Sequence, residues 1–169
     1  MGLMDILNQY VGQQSGPAGP AAVEHFGQVA QQAPQSTVSQ GLTEAFRSDQ
    51  TPPFGDMVAR LFGNSNPQQR AGLLTQLING LGLGSIGAAG GAGPLGDLMR
   101  QLGGGGSAVT PEQAAAVIPD QVQQAATHAE QQNPSIVERV SDFYAQHPAL
   151  VQTLGSAALT IALAKMAQR

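Results

Sequence analysis

Three histidines are the side chains of this sequence best suited to acid–base or metal chemistry. They are His25, His128 and His147, and no two of them stand four residues apart, the spacing that would place two ligands on one helical face. The chain has no cysteine, which excludes thiolate ligands, thiol nucleophiles and disulfides together. The sequence therefore predicts no metal site, although a site assembled in space from the three rings stays open.

Two of the histidines have a local explanation. His128 and Glu130 match the H-x-E half of a zinc-deaminase signature, but the P-C-x-x-C half requires cysteines that the chain lacks. His147 precedes Pro148 at the predicted end of a helix, where a positive charge interacts favourably with the helix dipole. We interpret His147 as a capping residue and assign no catalytic role to the other two.

A glycine motif suggests nucleotide chemistry, because Gly82–Gly87 reads G-L-G-S-I-G and matches the G-x-G-x-x-G dinucleotide fingerprint. In a working site, the glycines let a strand turn tightly into a helix whose N-terminus holds the pyrophosphate. Here the preceding residues 73–81 have helical spacing, and further glycines follow. We interpret residues 82–93 as a flexible glycine-rich loop and keep a nucleotide-binding enzyme as an alternative.

The carboxylates are isolated along the sequence. Asp56 and Asp97 occupy equivalent places in two similar segments, each just inside a predicted short helix. A carboxylate in the first turn offsets the positive end of the helix dipole, which explains both residues without catalysis. We therefore predict no enzyme activity, no catalytic residue and no cofactor.

Helix signals dominate the rest of the chain. Apolar residues recur at helical spacing, and four prolines follow directly after a residue that can cap a helix N-terminus. These pairs are Thr51–Pro52, Asn66–Pro67, Thr110–Pro111 and Asn133–Pro134. Gln69 and Gln113 stand three residues after their caps, as a capping box requires.

The predicted fold is all-α, a multi-helix bundle of short amphipathic helices with glycine-rich linkers. Residues 1–50 are polar and interrupted by prolines, so we expect a loosely packed, mobile N-terminal arm. Residues 51–169 form the expected bundle core. In the arm, a first helical face contains Leu3, Ile6, Leu7, Tyr10 and Val11.

Two segments of the expected core resemble each other. P-F-G-D-M-V from Pro53 and P-L-G-D-L-M from Pro94 each precede a glycine-containing turn and a capped helix. Either a helical hairpin has been duplicated, or the two segments are similar by chance because the sequence has low complexity.

The C-terminal segment from Pro148 to Ala164 has no charged residue. Its length is at the lower limit for a transmembrane helix, but glutamine, serine, threonine and alanine dilute its hydrophobicity. We favour a buried core helix over a membrane segment.

Composition restricts the possible partners. Charged residues make up 11% of the chain, the net charge is -4, and there is no tryptophan. The sequence has no cluster of basic residues to bind a phosphate backbone and few aromatic residues to stack on bases, so nucleic-acid binding is disfavoured. The first residues lack a basic leader and a long apolar run, so we expect no signal peptide and a cytoplasmic location.

The chain resembles the YidB-like group of small bacterial proteins. The resemblance covers mainly residues 94–145 and depends on the M-G-L-M-D opening, the P-L-G-D-L segment and the S-A-V-T-P-E-Q helix start at Ser107–Gln113. It implies a bacterial origin and a helical fold, and it supplies no catalytic residues.

Together these patterns predict a non-enzymatic interaction or structural protein whose partner is a protein. The first alternative is an envelope protein that associates with the membrane through the C-terminal helix, and through the N-terminal helix as well. Oligomeric state stays open.

Overall fold

The computed structural model describes residues 2–8, 10–11, 20–80, 94–102 and 108–168. Within these ranges all regular structure is helical and there is no strand, which confirms the all-α prediction. The helices are α1 (Leu3–Asn8), α2 (Pro20–Gln32), α3 (Gln35–Arg47), α4 (Phe54–Asn64), α5 (Pro67–Gly80), α6 (Pro94–Gln101), α7 (Pro111–Ala115), α8 (Pro119–Gln132), α9 (Ile136–Ala145), α10 (Pro148–Val151) and α11 (Ser156–Ala167), with a 3₁₀ helix at Gln152–Leu154. The glycine-rich loop expected at 82–93 lies outside the described residues.

The helices form two compact units, one of residues 1–53 with 144–169 and one of residues 54–143. This grouping differs from the division at residue 50 that the sequence suggested. The reason is that the C-terminal helix α11 packs against α3, α2 and α1, so the two ends of the chain share one core.

In the first unit, α11 is the central helix. The buried residues of α11 include Leu159, Ala162, Leu163 and Met166. Phe26 of α2 is buried as well, and so are Leu42 and Phe46 of α3. Each large apolar side chain removed from water contributes about 1.5–3 kcal/mol, which binds α2 and α3 to α11. Burial on several sides agrees with the interpretation of this segment as a core helix.

The C-terminal segment is not one continuous helix. It begins as α10, tightens into the 3₁₀ helix and restarts as α11 after Gly155, whose φ of 98° lies in the left-handed region that favours glycine. Across the described part of the chain, no helix combines the length and hydrophobicity needed to cross a bilayer.

In the second unit, α8 is the central helix, and α4 and α6 both pack against it while α5 packs against α7. The small residues Val122, Ala125, Ala126 and Ala129 recur at helical spacing, which predicts one face of a helix, and all four are buried in α8. The two similar segments, from Pro53 and from Pro94, thus form α4 and α6, which both pack against α8.

Two of the four predicted caps are confirmed as capping boxes. Asn66 accepts from the backbone N–H of Gln69 at 2.8 Å, and Gln69 accepts from the backbone N–H of Asn66 at 3.0 Å. Thr110 and Gln113 make the same reciprocal pair at 3.3 Å and 3.0 Å before α7. Each box satisfies two N–H groups that the helix itself leaves without partners.

The prediction that Thr51 caps α4 is wrong. Its hydroxyl lies 2.6 Å from the carbonyl oxygen of Ala45 and 2.9 Å from that of Ser48, where it donates to the C-terminal end of α3. A proline disfavours the helical conformation for the residue before it, and in agreement with this rule the helix begins only at Phe54, after Pro52 and Pro53.

The prediction that Asn133 caps a helix beginning at Pro134 is also wrong, because α9 begins only at Ile136. Its side-chain oxygen accepts from the backbone N–H of Ser135 at 3.2 Å, and its amide donates to the carbonyl oxygen of Gly80 at 2.9 Å. One amide group thereby joins the end of α5 to the turn before α9.

Candidate functional site

The first histidine lies in a polar pair within the first unit. The hydroxyl of Tyr10 and Nδ1 of His25 are 2.9 Å apart, and the two rings meet edge to face at 5.9 Å. Tyr10 is buried, and this burial raises the pKa of its phenol above the ordinary value of 10.0. The pair fixes the residues after α1 onto α2.

The other two histidines have separate local environments. Nε2 of His128 lies 2.7 Å from the amide nitrogen of Gln132, one turn later on α8. The side chain of His147 makes no hydrogen bond that caps α10, the helix it precedes, and its backbone N–H donates to the carbonyl oxygen of Tyr144 at 2.8 Å at the end of α9. The role predicted for its charge at the end of the preceding helix stays a prediction. Among the described residues, no three His, Asp or Glu side chains come together in a group that could hold a metal ion.

The two equivalent aspartates lie in the first turns of α4 and α6, as predicted. Asp56 accepts a hydrogen bond from the amide of Gln123 on α8. Asp97 pairs with Arg100 of its own helix at 2.5 Å, and both side chains are mostly exposed. The first interaction joins α4 to α8, and the second lies within α6.

The G-x-G-x-x-G motif at Gly82–Gly87 lies outside the described residues. The segment before it is described as α5, which ends at Gly80. A dinucleotide fingerprint normally follows a β-strand, so a helix before the motif removes one element of the context that a nucleotide site needs.

A glutamine network encloses α7. The amide of Gln113 donates to the carbonyl oxygen of Leu102 at 2.7 Å, and that of Gln101 donates to Ala116 at 3.1 Å. The amide of Gln121 in turn donates to Gln101 at 3.0 Å. These uncharged groups satisfy the backbone around a helix of one turn and a half, which is a structural role.

A shallow polar cleft of about 210 Å³ lies between α3 and α11. Its lining residues are Gln40, Gly41, Glu44, Lys165 and Gln168. Lys165 and Glu44 approach to 3.7 Å with both side chains about half exposed, so the pair contributes at most about 1 kcal/mol. Lys165 also lies in the last turn of α11, where a cation offsets the helix dipole.

The outward side of α1 is the most unusual surface of the first unit. Ile6 and Tyr10 point into the core, whereas Met4 is 69% exposed and Val11 is 49% exposed, with the partly buried Leu7 between them. Met4 and Leu7 lie on α1 and Val11 lies in the turn after it. We call these three residues the outer stripe of α1. Within the described ranges, the remaining exposed large apolar side chain is Ile118 in the second unit, at 54%.

The periodicity of the sequence does not separate the outer stripe from the core side, because Leu7 and Val11 share one predicted helical face with Ile6 and Tyr10. The signal that could have found it is the number of apolar residues in Leu3–Val11: six of nine are apolar, which is more than one face of a helix can hold. A helix of this kind has two apolar sides, and packing against the core buries only one.

Comparison of the chain with protein families, with curated proteins and with solved structures finds no match. Inference about function therefore depends on the surfaces and polar groups described above.

Proposed function

We propose that this chain is a non-enzymatic interaction protein of bacterial origin that binds a protein partner through the outer stripe of α1. The observation that carries the proposal is the exposure of Met4 in α1 and of Val11 in the turn that follows α1. Exposed apolar side chains in a row cost free energy in water, and they are typical of surfaces that become buried in a complex. The cytoplasm and membership of the YidB-like group are parts of the same proposal.

The charges near the stripe favour a protein over a lipid surface. Helices that lie on membranes carry lysines and arginines on their polar side, where these residues contact anionic headgroups. The described residues of α1 and the turn after it include no basic residue and one acidic residue, Asp5. An anionic headgroup region would repel Asp5, whereas an apolar groove on a protein has no such effect. Binding to membranes through α1 is the competing hypothesis.

The test compares the outer stripe with an equally exposed apolar residue elsewhere. The wild-type chain, a Met4→Gln/Val11→Gln double variant and an Ile118→Gln control are used as bait in bacterial lysate, with captured proteins quantified by mass spectrometry. We expect proteins captured by the wild type and the control to be lost with the double variant. An unchanged set of captured proteins would contradict the proposal.

Two further measurements separate the possible partners. Sedimentation with vesicles of phosphatidylglycerol and phosphatidylethanolamine should leave the chain in the supernatant, and stripe-dependent pelleting would instead favour the membrane. Analytical ultracentrifugation of the purified chain shows whether the double variant abolishes self-association, in which case the partner is a second copy.

A further inference from the structure

The described methionines differ sharply in their access to solvent. Met4 on the outer stripe of α1 is 69% exposed, whereas Met57 of α4 is 1% exposed and Met166 of α11 is 3% exposed. A thioether is oxidised by peroxides when the oxidant can reach the sulfur atom, and a packed core prevents that approach. The folded chain therefore presents Met4 to an oxidant and protects both core methionines.

We propose that Met4 is a site of reversible oxidation by peroxide, and that its oxidation converts the outer stripe of α1 from apolar to polar. A lone pair of the sulfur attacks one oxygen of hydrogen peroxide, the O–O bond breaks, and that oxygen stays on sulfur as the sulfoxide. Sulfur loses two electrons, and the second oxygen leaves as water. Methionine sulfoxide reductases reverse the step with electrons from thiols.

The effect on binding rests on the proposed function. In the reduced chain, Met4 offers a flexible apolar side chain beside Leu7 and Val11, and such side chains adapt well to apolar partners. The sulfoxide oxygen is a strong hydrogen-bond acceptor, and an apolar partner surface would bury it without a donor. We expect binding to weaken roughly ten-fold, which is the scale of one unsatisfied buried polar group.

The fold should tolerate the modification. Ile6 and Tyr10 attach this segment to the core, and Tyr10 is held to His25, so the residues that fix α1 lie on the side opposite to Met4. Oxidation at Met4 adds one oxygen on the solvent side and removes no packed atom. Helix content and thermal stability should therefore stay unchanged.

The first experiment measures the modification itself. The full chain is titrated with hydrogen peroxide, and peptide mapping by mass spectrometry resolves each methionine. We expect Met4 to be oxidised at least ten-fold faster than Met57 and Met166, with an unchanged circular dichroism spectrum and with reversal by sulfoxide reductases. Equal rates at the three sites in the folded chain would overturn the proposal.

The second experiment measures the consequence and separates it from the proposed function. Oxidised wild type should lose the captured partner, while an oxidised Met4→Leu variant, which keeps the apolar stripe without sulfur, should retain it. If oxidised wild type binds normally although Met4→Gln/Val11→Gln does not, the switch is wrong and the interaction surface stands. If that double variant also binds normally, the proposed interaction surface is wrong. The proposed effect of Met4 oxidation on binding is then wrong as well.

Discussion

The two units of this molecule each have a central helix that meets a partner helix at a glycine, but they stabilise that contact in different ways. In the first unit, α3 approaches α11 at Gly41, and in the second, α4 approaches α8 at Gly55. α11 contributes leucines and a methionine, whereas α8 contributes mainly alanines. The comparison shows that two helix pairs with an equally close approach at a glycine can bury large side chains in one case and mainly small ones in the other.

The largest expected effect tests the dependence on volume in the first unit. Leu159→Ala in α11 removes a fully buried side chain and should lower the free energy of unfolding by about 2–5 kcal/mol, because the remaining cavity cannot collapse completely. Ala125→Gly in α8 removes one buried methyl group and should cost about 1 kcal/mol. Urea denaturation followed by circular dichroism measures both variants, and equal losses would contradict the distinction between the two central helices.

The next effect tests the close approach at the two glycines. A β-carbon at Gly41 would lie 2.8 Å from the carbonyl oxygen of Ala162, and one at Gly55 would lie 2.7 Å from that of Gln123 and closer still to Thr127. Backbone atoms cannot move aside cheaply, so Gly41→Val and Gly55→Val should each lower stability by about 1–3 kcal/mol.

A third glycine provides a control for the addition of a β-carbon alone. At Gly63 in α4, the nearest atom to an added β-carbon is Cγ of Pro119 at 3.8 Å, an ordinary contact distance. Gly63→Ala should therefore leave stability unchanged or raise it by about 0.5–1 kcal/mol. Hydrogen exchange should localise the loss of protection to residues 1–53 and 144–169 for Gly41→Val, and to residues 54–143 for Gly55→Val. Loss spread evenly over both sets would argue against two separately packed cores.

The smallest effect concerns a titratable group that belongs to the first unit. Burial raises the pKa of Tyr10, so the folded chain holds the phenol proton more tightly than the unfolded chain does. Its contribution is fully present below pH 10 and is lost as the pH rises through the folded-state pKa. Tyr10→Phe should lose about 1 kcal/mol at neutral pH with the hydrogen bond to His25, and it should show a shallower decline in alkaline solution. Parallel stability curves of wild type and variant above pH 10 would contradict this assignment.

Helix type and the central helix starts were predictable from sequence because their causes are local. The capping boxes of Asn66 and Thr110 join atoms within one turn, so the residue types at four consecutive positions are sufficient to predict them. The alanine face of α8 was equally visible, since the spacing of its small residues matches the helical repeat.

The candidate surface was less predictable than the helices. The periodicity of Leu3–Val11 predicted a helix but gave no way to decide which of its two apolar sides would be covered. That choice depends on α2 and α11, which come from distant parts of the chain. The outer stripe, and with it the exposure of Met4, became visible only once those helices were in place.

The sequence by itself determined an all-α protein, the starts of α5 and α7, and the absence of cysteine chemistry, because each depends on composition or on residues within one helical turn. Only the tertiary structure decided the contacts between distant residues. Thr51 donates to the end of α3 and does not cap α4, and the amide of Asn133 donates to Gly80. Helix α11 packs against helices from the first fifty residues. A hydrogen bond or a buried side chain is satisfied by whichever partner lies nearest in space, and sequence distance does not fix that partner.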